Sequence, residues 1–309
     1  MSESNPHKVL GVVGLGSMGF GAAATALRNG VPVIGLDTRA AARDRFTALG
    51  GRVTASLTEL GAQCDAVVVL VVNAAQTEEV LFGSEGAGLA ATLKPGATVI
   101  CSATVDPTLP PVWESRLAER GIWLIDAPVS GGATKAADGQ MTVMASGKAQ
   151  AFESAGAMLD AIAGKVYRLG DKVGIGSTVK MVNQHLAGVH IATACEAMAL
   201  GMRAGADPAA LYEVICNSAG MSWMFQNRVP HILAGDYTPL SAVDIFIKDL
   251  GIVLDAARKL QFPLPLAAAA QQLYLAAAAA GHGAEDDSAV IKVYAQLAGL
   301  ELPKASGAA

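Results

Sequence analysis

The composition of the chain is that of a folded protein with a large apolar core. It has 309 residues, of which 52% are hydrophobic and 16% are charged, which is enough for two domains of ordinary size and excludes extensive disorder. The 22 lysines and arginines are outnumbered by 27 acidic residues and form no dense basic cluster, so the sequence lacks the usual signature of a nucleic-acid-binding protein.

The first half of the chain alternates short apolar runs with stretches of helical character. Strands are predicted at residues 9–14, 33–37, 66–72, 97–102, 122–126, 141–145 and 166–169, and helices at 18–29, 40–49, 110–120 and 149–162. Several strands are β-branched runs without polar alternation, which is typical of strands buried on both faces of a parallel sheet. The order predicts an α/β fold, a Rossmann-type doubly wound parallel sheet over residues 1–170.

The pattern changes after Gly170. One long apolar helix is predicted at 178–204, followed by helices at 209–218, 242–260, 264–280 and 288–297, and no strand pattern returns. Asp286 or Asp287 is a candidate N-cap for the last of them. We therefore predict that residues 171–309 form an all-α domain for substrate binding and oligomerisation. A helix as apolar as 178–204 exposes too much hydrophobic area as a surface helix, so we expect a homodimer or homotetramer.

No segment has the pattern of a signal peptide or a membrane span. Residues 1–8 are polar, and the alanine-rich stretch 266–280 is short and interrupted by Gln271 and Gln272. We expect a cytoplasmic protein without a membrane partner. Its four scattered cysteines are interpreted as free, mostly buried thiols. No cluster of His, Asp and Glu has the spacing of metal ligands, so no metal is expected.

The strongest local motif is a glycine-rich turn between the first predicted strand and the first helix. Gly14 allows the tight turn, Gly16 lets the backbone approach a pyrophosphate, and Gly19 lets the helix pack closely on the strand. The helix N-terminus then directs N–H groups at the phosphates. The alternative is a tight turn without a ligand, but the strand before it and the helix after it favour a dinucleotide.

Asp37 ends the second predicted strand, about twenty residues after the glycines, where the motif places an acidic residue. A carboxylate there accepts hydrogen bonds from the ribose hydroxyls and repels a 2′-phosphate, which favours NAD over NADP. Arg39 opposes this preference, because a guanidinium two residues further on can accommodate that phosphate.

Lys180 is the candidate general base. The sequence places it in the first turn of the long helix, with Asn183 and Gln184 on the same face. The positive helix end and partial burial both push the pKa of a lysine downward, in the direction that a base needs near neutral pH. The alternative is a solvated lysine at a helix start. The five histidines have no fitting carboxylate nearby in sequence and are interpreted as structural.

Four motifs resemble the β-hydroxyacid dehydrogenase family, whose members include 3-hydroxyisobutyrate dehydrogenase. In order along the chain they are residues 14–19, residues 126–132 (D-A-P-V-S-G-G), Gly174 to Asn183 (G-x-G-x-x-x-K-x-x-N) and residues 248–250 (K-D-L). Two departures from the family pattern occur. Gln184 replaces a second asparagine, and Asp37-Thr38-Arg39 replaces N-R-T. Imine reductases share the fold but usually replace the lysine, so Lys180 argues against that branch.

The resemblance implies roles for individual residues. Lys180 is implied as the catalytic acid/base, and the substrate is implied to lie against Ser130, Gly131, Gly132, Asn183 and Gln184. The implied cofactor-binding residues are Gly14, Leu15, Gly16, Ser17, Met18, Gly19, Asp37, Thr38, Val72, Asn73, Thr104 and Lys248. For Lys248 the alternative is an ion pair with Asp244 one helical turn earlier.

Further segments resemble family members that act on sugar acids. They are residues 72–77, 183–190, 222–228 and 285–290, and among them Gln184 and Asn227 offer polar contacts for a polyhydroxylated substrate. The implied activity is NAD-dependent oxidation of the four-carbon sugar acid L-threonate at C2. The alternatives are a dehydrogenase or reductase of a short β-hydroxy acid or semialdehyde, and a non-catalytic protein that senses NAD.

Overall fold

The computed structural model describes residues 8–83 and 86–305, so most of the polar N-terminal segment, including His7, lies outside the described residues. The chain divides into two compact units, the first ending at Lys180 and the second beginning at Met181. Our boundary near residue 170 stays a prediction.

The first unit contains a six-stranded sheet in which all strands are parallel. Its strands are β1 (Leu10–Val13), β2 (Val33–Leu36), β3 (Arg52–Thr54), β4 (Ala66–Val69), β5 (Thr98–Cys101) and β6 (Trp123–Asp126). Their order is β3-β2-β1-β4-β5-β6, so the chain moves outward from β1 in both directions. Every residue of β1, β2, β4 and β5 is buried, as the β-branched runs predicted.

Helices cover both faces of this sheet, which confirms the predicted doubly wound α/β class. The helices of the first unit are α1 (Ser17–Arg28), α2 (Ala40–Ala48), α3 (Leu57–Gln63), α4 (Ala74–Phe82), α5 (Leu89–Thr92), α6 (Leu109–Ala118), α7 (Gly132–Ala137) and α8 (Ala149–Asp160). On one face Val12 and Val68 pack with α1, α2 and α8. On the other, Val67 and Val69 pack with α3 to α6.

Two of the predicted strands belong to a second, smaller sheet. It consists of β7 (Val129–Ser130), β8 (Thr142–Ala145) and β9 (Lys165–Arg168), with β7 antiparallel and β9 parallel to β8. A bridge between Asp126 and Ser146 connects it to the end of β6. This small sheet places the Ser130 turn beside the carboxyl end of the main sheet.

The second unit is helical, as predicted. The long helix α9 (Ile175–Arg203) leads into it, followed by α10 (Pro208–Cys216), α11 (Trp223–Ala234), α12 (Val243–Lys259), α13 (Pro265–Ala277) with a π-helical turn (Ala278–His282), a 3₁₀ turn (Asp287–Val290) and α14 (Ile291–Ala298). Asp286 caps the 3₁₀ turn, its carboxylate accepting from the Ser288 N–H at 3.1 Å, which confirms one of the two predicted N-caps.

Helix α9 has both a buried and an exposed apolar face. Ile191, Cys195 and Met198 lie in the core of the second unit. Val182, Leu186 and Leu200 are exposed, and their spacing puts them within about 40° of one another around the helix axis. The core position explains the length of the helix, and the exposed stripe explains why its sequence is apolar nearly all round.

Within residues 8–83 and 86–305, no helix combines the length and apolar character needed to cross a bilayer. The four cysteines are free thiols. Three of them are buried and Cys216 is half-buried, as predicted.

Candidate active site

The glycine turn follows β1 directly and has the geometry that its three glycines predict. Gly14 has a φ of +93°, and a Cβ there would lie 2.4 Å from the Leu70 carbonyl oxygen. A Cβ on Gly19 would lie 1.8 Å from the carbonyl oxygen of Gly14. Neither position tolerates a side chain, because the backbone that follows β4 crowds Gly14 and the first helix packs directly on the turn at Gly19.

Gly16 differs from Gly14 and Gly19 because its surroundings are open. The nearest atom to a Cβ at Gly16 is the Arg39 Nη2 at 4.0 Å. Gly16 is the N-cap of α1, and among the described residues no side-chain cap is found at that helix start. Open space in front of uncapped N–H groups fits a pyrophosphate. The turn therefore fits the dinucleotide that its sequence predicts.

Asp37 lies at the carboxyl end of β2 and is hydrogen-bonded on both oxygens. Its Oδ2 accepts from the Leu15 N–H at 2.8 Å, which ties it to the glycine turn. Its Oδ1 accepts from the backbone N–H of Arg39 at 2.9 Å and from Nε of the same residue at 3.0 Å. The hydrogen bond from the Arg39 side chain lowers the pKa of Asp37 to about 2, so the carboxylate is ionised at neutral pH.

The remaining predicted cofactor residues of the first unit follow β2, β4 and β5. Thr38 is exposed, and its carbonyl accepts from Arg43 Nη1 at 3.1 Å. Asn73 caps α4, its Oδ1 accepting from the Gln76 N–H at 2.9 Å, which gives it a structural role of its own. Val72 is exposed and Thr104 is half-buried. Their contact with a cofactor stays a prediction.

The Ser130 turn joins β7 to α7. Gly131 and Gly132 both have positive φ, +125° and +69°, and Gly131 is the N-cap of α7 without a side-chain cap. Successive glycines in this conformation direct backbone N–H groups toward one point, which suits a carboxylate. All three residues of the turn are half-buried.

Close packing of α1 on α7 brings the two turns to the same side of the first unit. A Cβ on Gly21 of α1 would lie 2.4 Å from the Ala136 carbonyl oxygen of α7. Further along both helices, Arg28 Nη2 donates to the Ala137 carbonyl at 3.1 Å. Along their axes, α1 and α7 each begin about 6 Å before the contact between Gly21 and Ala136, given a rise of 1.5 Å per residue.

Asp126 anchors the start of α9 to the end of β6. Its Oδ2 accepts from the N–H groups of Gly174 at 2.9 Å and Ser177 at 2.8 Å, and its Oδ1 accepts from Ser177 Oγ at 2.6 Å. The Gly176 N–H donates to Ser146 Oγ at 2.9 Å. Burial raises the pKa of Asp126, and the hydrogen bonds from Ser177 and Gly174 act in the opposite direction.

Lys180 lies in the second turn of α9, not in the first as the sequence suggested, because the helix begins at Ile175. Gly176 permits this earlier start, since a Cβ there would lie 2.3 Å from the Met144 carbonyl oxygen. Lys180 is 7% exposed. Asp126 offsets the positive end of the helix, so the burial of Lys180 is the part of the sequence argument that the structure supports.

In the second unit, a buried carboxylate holds the predicted substrate residues together. Gln184 Nε2 donates to Asp249 Oδ2 at 2.5 Å, and Asn183 Nδ2 donates to Gln184 Oε1 at 2.9 Å. Asp249 and Gln184 are buried, and Asn183 is half-buried. Gly188 allows this approach of α12 to α9, because a Cβ there would lie 3.0 Å from the Leu250 side chain.

Lys248 pairs with its sequence neighbour. Its Nζ lies 2.5 Å from Asp249 Oδ1, in place of the alternative pair with Asp244. The Asp244 carboxylate lies against Gly283, 2.6 Å from the position of a Cβ there. Lys248 is thus connected to Gln184 through Asp249, and its contact with a cofactor stays a prediction.

Sequence reasoning missed Asp126 and Asp249, although both stand inside motifs that it singled out. Their partners are 51 and 65 residues away in the chain, at Ser177 and Gln184, and no local spacing shows such pairs. Asn227, predicted as a polar contact for substrate, accepts a hydrogen bond from Arg228. Among the described residues, no group of three or more His, Cys, Asp and Glu side chains has the arrangement of a metal site.

Two family models match successive parts of the chain. Residues 9–170 match the NAD-binding domain of 6-phosphogluconate dehydrogenase, and residues 174–294 match a model described as NAD-binding of NADP-dependent 3-hydroxyisobutyrate dehydrogenase. The first model alone covers more than half of the chain. The boundary between the two matches falls between Gly170 and Gly174.

Known proteins are similar to the chain over nearly its full length. An L-threonate dehydrogenase of Cupriavidus necator is 61% identical over 95% of this chain and 97% of its own. Another, of Escherichia coli strain K12, is 50% identical over 96% of this chain and 97% of its own. A crystal structure of a 3-hydroxyisobutyrate dehydrogenase from Salmonella typhimurium is 50% identical with a TM-score of 0.87, covering 93% of this chain and 99% of that one.

These matches confirm the resemblance drawn from the four motifs, and they agree with a parallel nucleotide-binding sheet followed by a helical unit. The chain therefore belongs to the β-hydroxyacid dehydrogenase family, related to 3-hydroxyisobutyrate dehydrogenase, and is a nicotinamide-dependent dehydrogenase.

Proposed function

We propose that this protein oxidises L-threonate at C2 to the 2-oxo acid, with NAD as the hydride acceptor. The observation that carries the proposal is the similarity to L-threonate dehydrogenases, at 50–61% identity over 95–98% of this chain. Gln184 stands where the wider family usually has asparagine, and a longer amide suits a substrate with several hydroxyls.

The cofactor is held by the first unit. The pyrophosphate lies against the turn of Gly14, Leu15, Gly16, Ser17, Met18 and Gly19, and the adenosine ribose lies against Asp37 and Thr38. Val72, Asn73 and Thr104 of the same unit line the rest of the dinucleotide, and Lys248 of the second unit is a cofactor residue by the family resemblance alone. When bound, NAD supplies the acceptor for the hydride that leaves C2. The ionised carboxylate of Asp37 favours NAD, because it repels a 2′-phosphate.

The chain's own residues bind the substrate and move its proton. The backbone N–H groups and the hydroxyl of Ser130, Gly131 and Gly132 hold the substrate carboxylate. The neutral amine of Lys180 accepts the C2 hydroxyl proton as the carbonyl forms, and returns it in the reverse direction. Burial of Lys180 supports this role, since desolvation disfavours an ammonium. Asn183 and Gln184 contact the other hydroxyls.

The test of the substrate is a panel assayed with NAD and, separately, with NADP. It contains L-threonate, D-threonate, D-erythronate, D-glycerate and 3-hydroxyisobutyrate. We expect kcat/KM to be highest for L-threonate with NAD, since a site built for hydroxyls rejects acids that lack them by large factors. A higher value for 3-hydroxyisobutyrate would contradict the proposal.

The test of the base is Lys180→Ala. Loss of general-base catalysis lowers kcat by about 10²–10⁴-fold. NADH affinity, measured by fluorescence titration, should stay within about twofold, because the proposed contacts that hold the dinucleotide are those of the glycine turn and Asp37. Lys172→Ala is the control, an exposed lysine shortly before α9. Turnover of Lys180→Ala at the wild-type rate would exclude Lys180 as the base.

A second candidate substrate is a short β-hydroxy acid or its semialdehyde. The Salmonella structure at 50% identity carries the name 3-hydroxyisobutyrate dehydrogenase, which favours including that acid in the panel. The relatives named for it in mouse and rat are only 29% identical. This lower identity is why L-threonate is preferred.

We also propose a homo-oligomer in which a second copy covers the exposed stripe of α9. Val182, Leu186 and Leu200 are 49–70% exposed. Three such side chains on one helix face are unfavourable in water and typical of an interface. Sedimentation velocity at micromolar concentration should give a dimer or tetramer, and a stable monomer would contradict this.

A further inference from the structure

Three polar side chains in the second unit form a chain of hydrogen bonds that ends at a predicted substrate residue. Asp249 accepts from Gln184, and Gln184 accepts from Asn183. We call Asp249, Gln184 and Asn183 the amide relay. Asp249 is 2% exposed and Gln184 is 8% exposed, so water does not offer these groups alternative partners.

The first link of the amide relay has a fixed direction. The Lys248 ammonium, which has donors only, lies 2.5 Å from Asp249 Oδ1, so Asp249 acts there as an acceptor. Its Oδ2 lies 2.5 Å from Gln184. If the Gln184 amide were turned over, its oxygen would face a carboxylate oxygen at that distance. Repulsion between two acceptors therefore holds Nε2 of Gln184 toward Asp249.

The second link follows from the first. With Nε2 held by Asp249, Oε1 of Gln184 faces Asn183 at 2.9 Å, and only Nδ2 of Asn183 donates to it. The Oδ1 of Asn183 is then the end of the relay. An asparagine without this relay presents its oxygen or its nitrogen with similar ease, because the two ends have the same shape.

We infer that Asp249 is a specificity-determining residue, which fixes the Asn183 amide so that its carbonyl oxygen accepts a hydrogen bond from a substrate hydroxyl that does not react. This inference rests on the proposed function for the identity of the substrate. A hydroxyl donates to such an oxygen, whereas a carbonyl, a fluorine or a methylene does not. The relay therefore selects sugar acids over deoxy acids and over acids with a keto group at that carbon.

The kinetic test compares L-threonate with the two dihydroxybutyrates that lack its 3- or its 4-hydroxyl. In Asp249→Asn, which leaves both amide side chains in place, kcat/KM for L-threonate should fall about tenfold or more, the effect of a lost buried hydrogen bond. For one of the two deoxy acids it should fall less than about threefold, because that acid has no hydroxyl for Asn183 to accept from. An equal fall for all three acids is the result of a merely structural role and would overturn the inference.

The control variant is Gln271→Met. Gln271 is a half-buried glutamine of the same unit, and its Nε2 donates to the Ile247 carbonyl of α12 at 3.2 Å. This variant removes one amide next to α12 without touching the relay, so the ranking of the three acids should stay that of the wild type. The unchanged far-UV spectrum and NADH affinity of each variant show that it is folded.

A measurement without substrate separates this inference from the proposed function. In the wild type the Asn183 side-chain amide proton that is bonded to Gln184 should be shifted downfield from its usual position and should exchange slowly in ¹⁵N–¹H spectra. In Gln184→Met this displacement and this protection should be lost. Wild-type-like Asn183 signals in both Gln184→Met and Asp249→Asn would overturn the relay. Failure of the wild type to oxidise L-threonate would overturn the proposed substrate and leave the relay to be decided by these spectra.

Discussion

The Asp37 carboxylate serves two groups of donors at once. The backbone of the glycine turn donates to Oδ2, and Arg39 donates to both oxygens from its side chain. A ribose diol that donates to the same oxygens must displace the Arg39 side chain, which is 64% exposed and loses little packing when it moves. The same guanidinium lies near Gly16, at the edge of the phosphate turn. Arg39 therefore competes with NAD for Asp37 and is available to a 2′-phosphate.

Arg39→Leu should make the enzyme more selective for NAD. Without the guanidinium, a 2′-phosphate meets Asp37 alone, so kcat/KM with NADP should fall about tenfold, the value of one charge-assisted contact of roughly 1.5 kcal/mol. With NAD it should stay equal or rise. The measurement is kcat/KM for both cofactors at saturating L-threonate.

The control for Arg39→Leu is Arg45→Leu. Arg45 lies in α2, the helix of which Arg39 is the N-cap. Its guanidinium lies over the Phe20 ring, 4.4 Å from the centroid, so the Arg45→Leu substitution removes the same charge without changing a contact of Asp37. We expect its NAD to NADP ratio to be that of the wild type. If both variants shift the ratio alike, general charge and not the Asp37 pair sets the preference.

Single residues could be predicted where chemistry is local. The glycines of the first turn, Asp37 and the thiols follow from spacing, composition and elementary chemistry. Asp249 could not be predicted as the partner of Gln184, because 65 residues separate them and the pair exists only after Gly188 lets two helices pack closely. The ion pair of Lys248 with an adjacent residue was likewise hidden by the helical rule, which favours partners one turn away.

Among elements, the strands of the main sheet were predictable because burial on both faces leaves a continuous apolar run. The strand β3 was missed because it has three residues and none is buried. The helix α11 was missed because Pro230 lies inside it, a residue that ordinarily ends a helix. The start of α9 was placed too late because Gly174 and Gly176 are typical of a loop, whereas Gly176 is required here by the close approach of Met144.

Ser177→Ala tests the anchor of α9. Ser177 Oγ donates to Asp126 Oδ1 at 2.6 Å, and both residues are buried. Its loss leaves a buried carboxylate oxygen with one partner fewer, so the free energy of unfolding should fall by about 1–3 kcal/mol. Since α9 carries Lys180 in its second turn, kcat should fall as well. Urea unfolding and kcat are the measurements.

Thr178→Ala is the matched control for this anchor. The Thr178 hydroxyl donates to the Gly174 carbonyl at 2.8 Å, a bond within the same helix turn and half-buried. Its removal should cost less than about 0.5 kcal/mol, because such bonds compete with the helix and are easily replaced by water. Equal losses in the two variants would mean that Asp126 does not anchor the helix.

For the whole molecule, stability depends on an ion cluster that the sequence did not reveal. Arg228 of α11 donates through Nε to Asp287 Oδ1 at 2.6 Å and through Nη2 to Oδ2 at 3.1 Å, and Asp286 Oδ1 lies 4.0 Å from the same Nε. All three residues are buried. One guanidinium thus faces two carboxylates. Burial is the main cause that raises the pKa of Asp287 to about 7, and Asp286 adds to it.

This raised pKa gives the protein a defined pH dependence of stability. Between about pH 4 and pH 7 the folded state holds a proton on the cluster that the unfolded chain, with an ordinary aspartate, has released. The free energy of unfolding should therefore decrease as the pH rises through this range, by up to about 1.4 kcal/mol per pH unit. Asp37 has a pKa of about 2, so its protonation changes the free energy of unfolding only below this pH range.

Asp287→Asn should remove that dependence. The amide does not titrate, so the difference in unfolding free energy between pH 5 and pH 7, measured in urea, should be smaller by about 2–3 kcal/mol than in the wild type. At any one pH the variant should be less stable, because Arg228 loses its bidentate partner. Asp255→Asn changes an aspartate that is 61% exposed and pairs with Arg258 on the surface, so its pH profile should match that of the wild type. Parallel profiles for Asp287→Asn and the wild type would show that Asp287 is already ionised at pH 5, and that the guanidinium between the two carboxylates outweighs their burial.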